Sequence, residues 1–175
     1  MSQNKSILES SVNVGKILLE FILKNQHKSD PEFSNFKDKL KRNNTMKNKF
    51  NKEETALLEN GANIDNFDNL DLSMLHKLIS HLCGIEDKDP ELEKNLRTLK
   101  DKRNQLAHSD DINTYTEIYI WKRIEELRSL YEDTLKKIKD FYQTDIEEKR
   151  KEINNAIDSI LKHVEVKLDD DAIFG

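Results

Sequence analysis

The stretch "LDLSMLHKLISHLCG", residues 70–84, decides what kind of fold this chain adopts. Leu72, Leu75, Leu78, Ile79 and Leu82 recur at i, i+3 and i+4, which lines them along one face of an α-helix. Strand alternation would scatter the same residues over both faces. Asp71 stands where an N-cap belongs, and Gly84 where a helix stops. This is the most apolar helical segment of the sequence and the expected centre of the core.

Working outward, every other segment with a clear period has the helical one. Downstream, "DPELEKNLRTLKDKRNQLAH" (89–108) opens with an Asp-Pro start signal and carries Leu92, Leu96, Leu99 and Leu106 in step. Residues 115–143 repeat Ile118, Trp121, Ile124, Leu127, Tyr131, Leu135, Ile138 and Tyr142. The opening "YTEIYIW" has strand-like composition, but the stripe that follows outweighs it. Thr144 and Asp145 are placed to cap a last helix over 146–166, with Ile153, Ile157, Ile160 or Leu161, and Val164 in step. One continuous helix through both segments is the alternative. Upstream, "NKEETALLENG" (51–61) offers Asn51 as N-cap, Glu54 as its capping-box partner and Gly61 as the stop. "SDPEFSNFKDKLK" (29–41) starts at Asp30-Pro31 and repeats Phe33, Phe36 and Leu40. "ILESSVNVGKILLEFILKNQ" (7–26) reads as one helix with Val12, Leu18 or Leu19, and Ile22 or Leu23 on its stripe. The expected class is all-α. N-terminal helices occupy 1–50, a helical core 51–143, a C-terminal helix 144–166, and a linker or tail 167–175.

Composition agrees with that organisation. Hydrophobic residues make up 35% of the 175 and charged residues 36%. An average domain has roughly 45–50% and 25%, so the apolar residues here must be concentrated on narrow helical stripes. Cys83 is the only cysteine, which excludes an intrachain disulfide and a Cys₂His₂ metal site and fits a reducing, cytoplasmic setting. The N-terminus lacks a signal pattern. The longest apolar run, "ILLEFIL", is too short to span a bilayer, so no membrane association is expected. Neither a metal nor an organic cofactor is indicated.

A net charge of −5 argues against a generic nucleic-acid coat protein. Locally the balance reverses: "KDKLKRNNTMKNKFNK" (37–52) holds seven Lys or Arg and one Asp, including Lys41, Arg42, Lys47 and Lys49. A solvated helix end accounts for such a run. So does an electrostatic guide for a phosphate backbone.

The segment that carries chemistry is "RNQLAH", residues 103–108. Asn104 and His108 are i, i+4, about 40° apart on a helix. Arg103 precedes Asn104 and is long enough to reach round toward the same groove. Histidine exchanges a proton near neutral pH, arginine is a fixed planar cation suited to a phosphate, and an amide orients either. That trio suits metal-free phosphodiester cleavage, and Lys100 and Lys102 stand three residues and one residue before it. The plainer reading is a charged helix face ending in a histidine. His27, His76, His81 and His163 read as structural or solvated; His76 and His81 point about 140° apart, wrong for one metal.

"RNQLAH" also fits the R-x₄₋₆-H signature of the HEPN superfamily (higher eukaryotes and prokaryotes nucleotide-binding). With "FDNLDLSMLHKLISHLCGI" before it and an aromatic-rich helix start after it, the chain resembles one branch of that superfamily over roughly residues 50–140. That branch is the one found in a DAZ-interacting zinc-finger ubiquitin ligase and in metazoan multidomain signalling proteins. Where branch members often carry Tyr-Gly before the histidine, this chain has Leu106-Ala107, which should keep the helix straight up to His108. The resemblance implies a HEPN-like bundle of four or more helices with a long C-terminal helical segment, dimerising about a two-fold axis. It implies a metal-independent endoribonuclease acting on single-stranded RNA and leaving 2′,3′-cyclic phosphate ends, with His108 as general acid or base and Lys41, Arg42, Lys47, Lys49, Lys100 and Lys102 as candidate RNA contacts. Arg103 would stabilise the transition-state charge, and Asn104 would orient the pair. The alternative is a non-catalytic helical oligomerisation or RNA-binding module of a larger signalling or innate-immunity sensor, joined to further domains. A plain helical scaffold with a chance motif would place Arg103 and His108 on separate exposed faces.

Overall fold

A computed structural model of the chain describes residues 3–30, 49–59, 66–67, 70–108 and 115–174, the side chains of Gln3, Glu59 and 165–174 apart. The described elements are helices: α1 (Gln3–Asn13), α2 (Gly15–Ser29), α3 (Lys52–Glu59), α4 (Leu72–Leu82), the single turn α5 (Ile85–Lys88), α6 (Pro90–Ala107), α7 (Glu117–Tyr142) and α8 (Glu147–Phe174). Among the described residues there is no β-strand, and the architecture is an all-α bundle. The segment opening at Asp30-Pro31 lies outside the described residues, as do Gly61, Lys41, Arg42 and Lys47.

Local chemistry sets the helix starts. The Asp71 carboxylate accepts from the Met74 amide at 2.8 Å, and Asp89 accepts from Leu92 at 3.1 Å with Pro90 opening α6. Asn51 and Glu54 exchange both hydrogen bonds of a capping box, at 2.9 and 2.8 Å. Gly84 takes up a left-handed φ of 61° between α4 and α5, a conformation that costs glycine little. The stripe of α4 is buried throughout, as are Leu92, Leu96, Leu99 and Leu106 of α6. Helix α4 lies against α2 and α6, while α1 is wedged among α6, α7 and α8.

Three elements differ from the sequence reading. Residues 3–29 form two helices, where 7–26 was expected as one, with the break at Val14. Tyr131, fully buried on α7, aims its hydroxyl between the carbonyl oxygens of Ser11 and Val12, at 2.6 and 3.0 Å. In an unbroken helix those oxygens would accept from the amides of residues 15 and 16; with them taken by the phenol, the chain bends. Second, α7 and α8 are separate, because Gln143 adopts a left-handed φ of 53° and Asp145 caps the amide of Glu147 at 2.9 Å. Third, residues 167–174, expected as a linker or tail, continue α8. Neither glycine nor proline occurs there to stop a helix before Gly175.

Helices α6 and α7 are antiparallel, and α8 packs back along α7. Asn95 of α6 donates to Asp133 and Thr134 of α7 at 2.7 and 3.3 Å, which fixes their register. Arg150 of α8 is held by Glu132 and Glu147, and Arg128 of α7 by Asp158 and Asn154. The buried stripe of α7 runs Ile120, Ile124, Leu127, Tyr131, Leu135 and Ile138. Ile118, expected on that stripe, is 54% exposed, and Trp121 is half-buried. Ile120, not Ile118, is in phase with Ile124, so the first turn of α7 presents Ile118 to solvent.

Candidate functional site

The motif occupies the last turn of α6 and its cap. Burial of Leu99 and Leu106 against the core fixes the rotation of the helix and so the direction of each motif side chain. The helix stays regular through Ala107, as Leu106-Ala107 led us to expect, and His108 is its C-cap, with φ −110° and ψ 10°. The His108 amide donates to the carbonyls of Gln105 and Leu106, and the residue is exposed. Among the described residues its ring enters no hydrogen bond or ion pair.

Arg103 is turned the other way. Its Nη1 approaches Asn104 Oδ1 at 3.4 Å, while Nη2 faces Asp71 Oδ2 at 3.8 Å. The guanidinium thus lines a pocket of about 300 Å³ with Glu9 and Asn13 of α1, Asp71 and Leu72. His108 does not line that pocket. Sequence reasoning brought the guanidinium round to the groove shared by Asn104 and His108. In the fold, Asn104 touches Arg103, and among the described residues no hydrogen bond joins the His108 ring to either. The cause is helical phase: Arg103 and His108 are about 140° apart, and Asp71 offers Arg103 a carboxylate on its own side.

The Arg103–Asp71 contact is loose and open to water, with side-chain exposures of 39% and 65%. Such pairs contribute about 0–1 kcal/mol. A phosphate, which guanidinium binds through two parallel charge-assisted hydrogen bonds, is the stronger partner. The Asp71 carboxylate does two things at once: Oδ1 caps α4 and Oδ2 faces the motif arginine. Asp71 was legible in the sequence as a cap; its second contact was not, because α4 and α6 meet only in the folded chain.

The candidate RNA contacts separate in space. Lys102 is half-buried and shares a small pocket with Leu8, Leu106, Arg123 and Leu127. Lys100 is exposed on the other side of α6, close enough to His76 for its charge to act on it. Lys49 lies by His81, whose ring is 5.5 Å from Phe50. His81 and Asp71 are at opposite ends of α4, about 15 Å apart at 1.5 Å per residue. The described end of the basic stretch is therefore not beside Arg103.

Two further titratable groups, His76 and Cys83, are buried in the core. His76 is buried with Nε2 unpartnered, and burial, reinforced by Lys100 and Arg97, depresses its pKa to about 4. Burial pushes the Cys83 thiol up to about 12, so it is inert at neutral pH. His163 is exposed, in accord with its sequence reading. Among the described residues, no group of three His, Cys, Asp or Glu side chains converges to hold a metal ion, and no helix is long and apolar enough to cross a membrane. No family model, no curated protein and no solved structure matches the chain.

Proposed function

We propose that this chain is a metal-independent endoribonuclease that acts as a homodimer on single-stranded RNA and leaves 2′,3′-cyclic phosphate ends. The observation that supports the reading is the placement of His108. It is the C-cap of α6 with its side chain exposed, one turn beyond an Arg103–Asn104 pair whose guanidinium is only loosely held. In this reading His108 moves protons between the ribose 2′-hydroxyl and the leaving 5′-oxygen. Arg103 exchanges Asp71 for the phosphate, and Asn104 keeps the guanidinium in plane. One histidine serves poorly as both acid and base in a concerted step, and a two-fold partner would bring the second. Positioned acid–base catalysis is worth roughly 10²–10⁴-fold, and preorganised charge stabilisation roughly 10²–10³-fold more.

A second reading is favoured by a different observation. The pocket that holds Arg103 carries two carboxylates, Glu9 and Asp71, which repel a phosphate. A non-catalytic module that oligomerises, or binds RNA elsewhere on its surface, has no need of a cleft shared by Arg103 and His108.

Cleavage of a labelled single-stranded RNA in EDTA separates the two. Wild type should cut, and His108→Ala, eluting at the same dimeric mass, should lose at least about 10²-fold. Equal activity in both, or none in the wild-type dimer across several RNAs, would transfer the assignment to the non-catalytic module.

A further inference from the structure

The first two turns of α7 carry a surface that the motif does not use. Tyr119 is 39% exposed and Ile118 54%. The Tyr119 ring is held from two sides: Tyr115 packs against it edge-on at 4.6 Å between centroids, and the Arg123 guanidinium lies 5.6 Å from its centroid. Its backbone is fixed as well, since its amide donates to the capping Thr116 hydroxyl at 3.2 Å. Arg123 and Lys102 line one small pocket whose other walls are Leu8, Val12, Leu106 and Leu127, with no carboxylate among them. The Asn95–Asp133 and Asn95–Thr134 bonds set the α6–α7 register and bring the Tyr119–Arg123 turn level with the end of α6, where His108 stands.

We infer that Tyr119, Arg123 and Lys102 form a stacking ledge for a single RNA strand. A base stacks on the part of the Tyr119 ring that Tyr115 and Arg123 leave exposed, and its backbone phosphates are met by Arg123 and Lys102. Preorganised aromatic faces flanked by cations are how proteins hold single strands without reading their sequence. A protein partner fits less well. A stable interface covers about 800 Å² on each side, and two exposed apolar side chains in a charged surround fall far short of it. Glu126, exposed two turns along the same face from Tyr119, marks where the favourable charge ends. The inference rests on RNA as the substrate of the proposed nuclease and adds where the strand lies.

The test is binding of a fluorescent single-stranded uridine dodecamer to the full chain in the His108→Ala background, so that cleavage does not intrude. Tyr119→Ala should weaken binding about tenfold and Tyr119→Trp should restore it, as stacking requires. Arg123→Gln should reduce the slope of log affinity against log salt by about 0.7. Unchanged affinity in Tyr119→Ala, absence of binding by the parent protein, or a change in native mass on Tyr119→Ala would overturn the ledge; the last would assign the surface to a second copy of the chain. The nuclease reading fails separately: a wild-type chain that binds through Tyr119 yet never cuts loses the enzyme and keeps the ledge.

Discussion

At the scale of single residues, Asp71 joins the stability of the core to the charge of the motif. Asn at this position would still accept the Met74 hydrogen bond, whereas Ala would not. Asp71→Ala should therefore cost about 1 kcal/mol in urea unfolding, and Asp71→Asn only a few tenths. Both variants remove the carboxylate facing Arg103, so both should bind single-stranded RNA several-fold more tightly at low salt. Unaltered affinity in Asp71→Asn would mean that the pair does not restrain the guanidinium. His76 gives a pH signature of its own. The unfolded ring takes a proton near 6.5, the folded ring only near 4. Between those values the unfolded state binds more protons, so stability falls as pH drops through that window. The loss reaches up to about 3 kcal/mol by pH 4, at about 1.36 kcal/mol per pH unit. Urea midpoints for wild type and His76→Gln at pH 7.5 and 4.5 check it: the variant should lose clearly less, and parallel losses would contradict the assignment.

At the scale of elements, the α1–α2 break shows how tightly the helices are fitted. A β-carbon on Gly15 would come within 2.6 Å of Leu99 Cδ2 and 3.0 Å of Cδ1, in a core where Leu99 is 2% exposed. Ala is favoured over Gly in a helix by about 1 kcal/mol, but overpacking costs about 1–3 kcal/mol. Gly15→Ala should accordingly lower the Tm. Combined with Leu99→Ala, which opens the space, its cost should shrink; strict additivity in that double-mutant cycle would show that the two do not meet. The same crowding explains why α1 sits close enough to α6 for Glu9 and Asn13 to wall the Arg103 pocket.

At the scale of the whole molecule, the charges at this end of the bundle are sorted by pocket. Glu9 and Asp71 line one pocket with Arg103, while Lys102 and Arg123 line the neighbouring one, the two meeting at Val12 and Leu106. If two chains share a cleft, the activity of mixtures reports it. Excess His108→Ala protein, equilibrated with wild type, should depress cleavage below the wild-type share, because mixed dimers lack one of the two imidazoles. Activity strictly proportional to the wild-type fraction would mean that each chain works alone.

Much of this was legible along the chain, for a reason of range. Caps at Asn51, Asp71 and Asp89, the stop at Gly84 and the stripes of α4 and α6 depend on residues within a turn or two of one another, so they were readable and they stand. The residues of the candidate site could be named for the same reason, since Arg103, Asn104 and His108 share one short segment. What the sequence by itself determined is thus the helical class, the helix starts and which faces turn inward. The break at Val14, the turn of Arg103 toward Asp71, the separation of Lys49 from the motif and the meeting of Lys102 with Arg123 at one pocket were decided by the tertiary structure alone. Each depends on partners tens of residues apart, such as Tyr131 against Ser11, whose meeting is settled by packing and not by local preference.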